Sequence, residues 1–367
     1  MARNVPVIKS YQTTCCSILI TDFKIERLSR EKTPMCHQKQ FTSDTLQTSV
    51  IIKTDMRHNF FTVSLANNIP VLKRSIPQIN RFYDHPEFSI ICPSSAVELF
   101  SKELQIFPNI KIIPENTLIS FDKFSSRASA YYTEKTGKTY TGTRLGWYYQ
   151  QVLKISFLIE QQSVTLPIVM WDADTIMLSE IEFFNKSHSV LYGSLLEFHQ
   201  PYFQSLTPIL GILPAGFKAF TVQFFSCTKA EQAFLISRLN QYMPRSQNIS
   251  SAQWITDIVI KAVIDTHGDF DVSLFSEQEL VGLSNILCSG QPQRSLAYLR
   301  WGFEGILGPA QIFWVTLLGF NHLTYENVDS ILHQKQGWFK LLAFTLKEFY
   351  RQKLKIRTAP FLPKSLY

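Results

Sequence analysis

None of the six cysteines, at positions 15, 16, 36, 92, 227 and 288, stands in a CxxC pair or at metal-finger spacing. No zinc finger is expected, and the thiols read as reduced and mostly buried. Long apolar runs are missing too. The first thirty residues contain no apolar core of the length a secretory signal needs, and the longest apolar stretch, around Ile312–Phe320, is too short to span a bilayer. A cytoplasmic location is the expectation. The chain has no GxxxxGK[ST] phosphate loop, no internal repeat and no low-complexity linker. Its basic residues form no stripe interleaved with stacking aromatics, so nucleic acid is not an expected partner.

What the sequence does hold is aromatic weight, with 29 Phe, 14 Tyr and 6 Trp among 367 residues, enough for a full core and a large pocket or partner surface. The net charge of +7 points to anionic partners, among them nucleotide phosphates and acidic membrane surfaces. Much of the excess lies in Lys24–Lys39 and Lys347–Lys364.

Residues 1–46 are polar, mixed in charge and weakly periodic, and are expected to form an extension. Order is expected to begin with the β-branched run Thr48–Thr54, ending in Asp55, followed by a helix around Phe61–Ser75. The pattern repeats with a strand at Phe88–Cys92, a helix over Ser94–Leu104 and a strand at Ile110–Ile113. Strand–helix alternation predicts a doubly wound, mostly parallel sheet with ligands beyond the carboxyl ends of its strands. Further helices are expected at Leu145–Glu160, Lys229–Tyr242 and Ala252–Thr266, and strands at Thr165–Trp171 and near Ser189–Gly193.

Asp172-Ala173-Asp174 follows the apolar run TLPIVMW directly. Two carboxylates one residue apart at the end of a buried strand can share a divalent cation whose remaining positions take phosphate oxygens and water. Mg²⁺ or Mn²⁺ suits such oxygen donors, and either would neutralise charge on a departing diphosphate. A bare DxD is weak, since Asp269-Phe270-Asp271 repeats the spacing in a polar stretch; the apolar strand before Asp172 separates the two. A carboxylate pair capping a turn is the alternative for either.

The preceding helix carries Gly146, Trp147, Gln150, Gln151 and Lys154, and 147, 150 or 151, and 154 share one face. If that face meets a cleft, Lys154 or Arg144 reaches donor phosphates, Trp147 forms a wall and the glutamines bond sugar hydroxyls. An ordinary amphipathic face with Trp147 in the core is the other possibility.

GWYYQQVLK followed about ten residues later by LPIVMWDADTIML resembles a bacterial group of GT-A-like glycosyltransferases with a Gly-Trp-x-x-Gln-Gln-x-x-Lys helix before a DxD strand. The likeness extends to the opening strand near Asp55 and to Ser276-Glu277-Gln278-Glu279, covering roughly residues 48–305. Families of this kind use nucleoside-diphosphate sugars and build surface polysaccharides or glycolipids. The resemblance makes Asp172 and Asp174 the metal and diphosphate ligands and places Lys154 near the donor. Asp55 then lies near the nucleoside, Glu277 is the candidate base and Glu279 an acceptor contact. The group more often has Tyr where this chain has Gln278. Apart from the likeness, Glu277 and Glu279 also suit the first turn of a helix, where carboxylates favour the dipole.

His199, in EFHQPY after an expected strand, is a candidate acceptor contact or further ligand, or else structural. From Gln336 onwards Trp338, Phe339, Leu341, Leu342, Phe344, Leu346 and Phe349 are interleaved with Lys340, Lys347, Arg351 and Lys353. That pattern predicts a basic amphipathic helix, either lying on an anionic membrane or docked on the catalytic domain.

The expected architecture is an α/β, GT-A-like domain over 47–305, with a nucleotide-sugar half (47–175), an acceptor half (176–305) and a helical region at 306–367. The expected reaction is metal-dependent transfer of a hexosyl unit from a nucleoside-diphosphate sugar to a saccharide or lipid-linked acceptor. A nucleotidyl- or phosphotransferase and a non-catalytic sugar-binding scaffold are the rivals.

Overall fold

The computed structural model describes residues 57–325 and 338–358, apart from 162–166, 186, 195–196, 212, 214–215 and 303–305. The expected extension 1–46, the strand at 48–54 and Asp55 lie outside these residues. The first described strand is β1 (Asn59–Val63), and helix α1 (Ile69–Phe82) follows it. Part of the expected helix at 61–75 is therefore strand. Asn-Phe-Phe-Thr-Val is aromatic and β-branched, which suits a pleated surface, and Pro70 in the first turn of α1 marks the later helix start.

Two more strand–helix steps follow: β2 (Glu87–Cys92), α2 (Val97–Leu104) and β3 (Ile110–Pro114). Helices α3 (Phe121–Thr136) and α4 (Leu145–Glu160) then lead into β4 (Ile168–Trp171). After short strands β5 (Thr175–Met177), β6 (Phe184–Asn185) and β7 (His188–Ser189) come α5 (Gln200–Leu210), β8 (Phe224–Cys227), α6 (Lys229–Tyr242), α7 (Ser251–His267) and α8 (Glu277–Ser289). The last described elements are β9 (Tyr298–Trp301), α9 (Pro309–Leu317), β10 (His322–Tyr325) and α10 (Trp338–Thr358).

The main sheet runs β3-β2-β1-β4-β8, parallel from β3 to β4, with β8 antiparallel at the edge. The mixed α/β class with a mostly parallel sheet is as expected. Successive strands step outward from β1 to β3, and the chain then returns to β1's other side as β4. Strand order therefore reverses at the β1–β4 junction, where open α/β sheets leave a crevice beyond the strand ends. One face of the sheet packs on α1 and α2 through Leu72, Ile76, Phe88, Phe100 and Trp171. The other packs on the helical layer through Phe61, Phe157, Met170, Phe225 and Val259.

Strands cross both expected internal boundaries. β8 completes the sheet begun before residue 175, and β10, in the region expected to be helical, joins β5 and β9 in a three-stranded sheet. α3 was not expected. Ser120 caps its start and Gly137, at φ 69°, ends it, but only Phe124 and Ala128 are buried, so its periodicity is faint.

Candidate active site

A cleft of about 560 Å³ opens beyond the ends of β1 and β4, with Val63 from β1 and Asp172, Ala173 and Asp174 after β4 in its wall. α4 is buried almost all round. Four of its side chains, Trp147, Gln150, Gln151 and Lys154, line this cleft, joined by Arg144 at the helix N-cap. The N-terminus of α8 supplies Ser276, Glu277 and Gln278 from across the cleft.

Lys154 ties these elements together. Its ammonium donates to Asp172 Oδ1 at 2.5 Å and to Glu277 Oε1 at 2.7 Å. The three side chains are only 9%, 18% and 3% exposed. Burial opposes the charge on Lys154, yet the two carboxylates outweigh it and hold the ammonium above its ordinary range. Gln151 Oε1 accepts from the Glu277 N–H at 2.8 Å, a second tie between α4 and α8.

Asp172 is fixed from its other side by Gln278, whose Nε2 donates to Oδ2 at 2.8 Å. The Asp172 N–H donates to the Gln223 carbonyl at 2.9 Å, and Gln278 Oε1 accepts from the Gln223 N–H at 3.4 Å. Gln223 adopts φ 70°, a left-handed conformation uncommon outside glycine. Such backbone strain gathers where a site needs a particular geometry; here it turns Gln223 towards Asp172 and Gln278 together.

Asp174 differs from Asp172. Its carboxylate is half-buried and accepts from Thr175 Oγ1 at 3.2 Å. Desolvation, then the neighbouring charge of Asp172, pushes its carboxyl up to about 7. Among the described residues, three carboxylates, Asp172, Asp174 and Glu277, gather around the ammonium of Lys154, with the guanidiniums of Arg144 and Arg300 further along the cleft walls. A divalent cation fits these hard oxygen donors. Among the described residues no third His, Cys, Asp or Glu joins Asp172 and Asp174 in a metal cluster, so the other positions would fall to phosphate oxygens and water.

At one end of the cleft Arg144 lies over the Trp147 ring, 5.6 Å from its centroid, and its guanidinium donates to Ser273 Oγ at 2.6 Å. Trp147 stacks on Tyr202 with centroids 6.3 Å apart and planes 16° from parallel. Arg300 on β9 also lines the cleft, paired with Glu197 at 2.7 Å. Tyr202, Gln223 and Arg300 were not foreseen: one follows a helix start, one sits in a turn, and one arrives through pairing of distant strands.

No protein-family model matches the sequence, and the curated proteins give no match. Among solved structures the chain is similar to mouse xyloside xylosyltransferase 1 in its apo form, with TM-score 0.38 and 10% identity over 76% of this chain and 100% of that one. It is also similar to the PaToxG glycosyltransferase, with TM-score 0.27 and 13% identity over 64% of this chain and 86% of that one. Both scores fall below 0.5, and the functional reading rests on the cleft.

Two expected acceptor contacts lie elsewhere. His199 is exposed, with Nε2 2.9 Å from the Ser273 carbonyl and its ring against Tyr202, and it is Tyr202 that lines the cleft. Glu279 is wholly buried; its Oε1 accepts from the Phe220 N–H at 2.8 Å and from Thr221 Oγ1 at 3.1 Å. Two residues along a helix turn a side chain through about 200°, so Glu277 and Glu279 do not share a face. The rival Asp269–Asp271 pair forms a turn instead, with Asp269 Oδ1 accepting from the N–H groups of Phe270 and Asp271. A larger concavity of about 680 Å³ lies against α3 and α7, but there Arg127 and Asp257 neutralise each other at 2.7 Å.

Burial raises the Glu279 carboxyl from 4.5 to about 8. Between those values the folded chain holds a proton that the unfolded chain releases, so stability falls as pH rises, by about 1.4 kcal/mol per pH unit. Urea melts from pH 5 to 8 are expected to lose that slope in Glu279→Gln, with the variant more stable than the parent at pH 8. Beside it, a Cβ on Gly282 would run into the Phe220 ring. Gly282→Ala is expected to cost about 1–3 kcal/mol in the same melts, as overpacking does.

Proposed function

We propose that the chain is a metal-dependent glycosyltransferase that moves a hexosyl unit from a nucleoside-diphosphate sugar to a saccharide or glycolipid acceptor. The observation that carries this reading is the meeting of Asp172, Asp174 and Lys154 at the crevice where strand order reverses. A strand-end carboxylate pair, a buried ammonium and an aromatic wall together suit a diphosphate joined to a sugar.

In the proposed arrangement Asp172 and Asp174 hold Mn²⁺ or Mg²⁺. When bound, the ion neutralises charge on the diphosphate and orients its oxygens. Lys154 faces the same diphosphate with its third N–H, the first two being given to Asp172 and Glu277. Trp147 and Tyr202 offer a flat apolar surface to a sugar or base, and Gln150 and Gln151 offer amides to hydroxyls.

The acceptor hydroxyl oxygen forms a bond to the anomeric carbon while the bond from that carbon to the diphosphate oxygen breaks, its electron pair leaving with the diphosphate. The hydroxyl proton passes to Glu277, which lines the cleft in hydrogen-bond contact with Lys154. As charge grows on the diphosphate it draws Lys154 towards itself, loosening the hold on Glu277.

The test is nucleoside diphosphate release from a panel of UDP-, GDP- and other nucleoside-diphosphate sugars, with and without Mn²⁺. Release from one donor class that needs the metal and disappears in Asp172→Ala is expected. Release unaffected by chelation would remove the metal from the account.

A further inference from the structure

The inner face of α10 is docked. Leu341, Phe344 and Phe349 pack into the core around the small sheet, and Gln352 brackets β9 by accepting from the Tyr298 N–H at 3.1 Å and donating to its carbonyl. The outer face is exposed among the described residues. Trp338, Leu342, Leu346 and Tyr350 recur every fourth residue along it, and all four are exposed, Tyr350 by 68%. On α9, whose Trp314 indole donates to Thr345 Oγ1 of α10, Phe313 and Leu317 are each 64% exposed. Of the eleven large apolar side chains exposed among the described residues, six therefore sit on this helix pair. Clustering of that kind marks an interaction surface, whereas single exposed apolar residues do not.

Charge selects the occupant. Residues 338–367 carry seven Lys or Arg against Glu348 alone, nearly the whole net charge of the chain. Two copies meeting on this face would bring two such segments together and repel. An anionic bilayer compensates them, each basic residue near its surface adding to the attraction. Trp338 and Tyr350, at the two ends of the stripe, are the residue types that settle at headgroup level. No helix among the described residues is long and apolar enough to cross a membrane, so the contact is with the surface.

We infer that the outer face of α10, with Phe313 and Leu317 of α9, rests on the headgroup region of an anionic membrane. This holds whether or not the catalytic reading does. The experiment is sedimentation of the full chain with vesicles of phosphatidylcholine alone or mixed with phosphatidylglycerol, at low and high salt. Binding to the mixed vesicles, weakened by salt, is expected, with a loss of at least about tenfold in a Leu342→Gln, Leu346→Gln, Tyr350→Gln triple variant. Lys347→Glu, a change at an exposed position that leaves packing intact, is expected to weaken it severalfold on its own. No binding to mixed vesicles at low salt, or binding that both variants retain, overturns the inference. So does a concentration-dependent dimer in light scattering that the triple variant abolishes, since it would assign the face to a second copy.

Discussion

Asp174→Ala is expected to lower transferase turnover about a hundred- to thousandfold, the scale on which loss of a charge-stabilising group acts, without lowering the melting temperature of the metal-free protein. The two halves of that result have one cause. Burial and the charge of Asp172 push the Asp174 carboxyl up to about 7, from an ordinary 3.8. Between those values the folded chain keeps a proton that the unfolded chain gives up, so this group drains stability as pH rises through the window. Alanine removes the drain. A residue kept for stability would behave in the opposite way, its loss lowering the melt and leaving turnover nearly intact.

Lys154→Met is expected to do what Asp174→Ala does not, and destabilise the fold by about 3–5 kcal/mol, because it leaves the buried carboxylates of Asp172 and Glu277 without their shared cation. Chemical denaturation at pH 7 measures this directly. Adding Asp172→Asn and Glu277→Gln to the same chain is expected to restore most of the loss, since a neutral, well-packed set of similar volume can replace a buried ion pair. Activity stays absent in both. A Lys154→Met protein as stable as the parent would mean that the triad is not held together by charge, and the view of Lys154 as the tie between α4, β4 and α8 would fail.

The parts of the site legible in the sequence are those made by neighbours along the chain. An apolar run that stops at Asp172 announces a strand end, and the spacing of 147, 150 or 151, and 154 puts those side chains on one helical face before any fold is known. What brings Glu277 to within 2.7 Å of Lys154 is the packing of α8 against α4, 123 residues apart in the chain, and no local pattern carries it. Gln223 and Arg300 were hidden for the same reason, as was the small sheet in which β10 joins β5 and β9. Glu279 is a different case. The 100° step per residue of a helix already separated it from Glu277, and a helical reading of Ser276–Glu279 held to its geometry would have turned it inward. The helix expected at 61–75 took in part of β1 because Phe61–Val63 precedes the apolar pattern of α1 by only a short stretch, and Pro70 marks the later helix start.

In the proposed arrangement Asp172 and Asp174 hold a divalent cation together with a nucleoside diphosphate. Calorimetric titration of UDP, GDP and CDP into the full chain, with and without Mn²⁺ and repeated on Asp174→Ala, tests it most directly. Tight binding of one nucleotide that needs Mn²⁺ and vanishes in the variant is expected. Binding that is indifferent to the metal, or that survives the loss of Asp174, would contradict it.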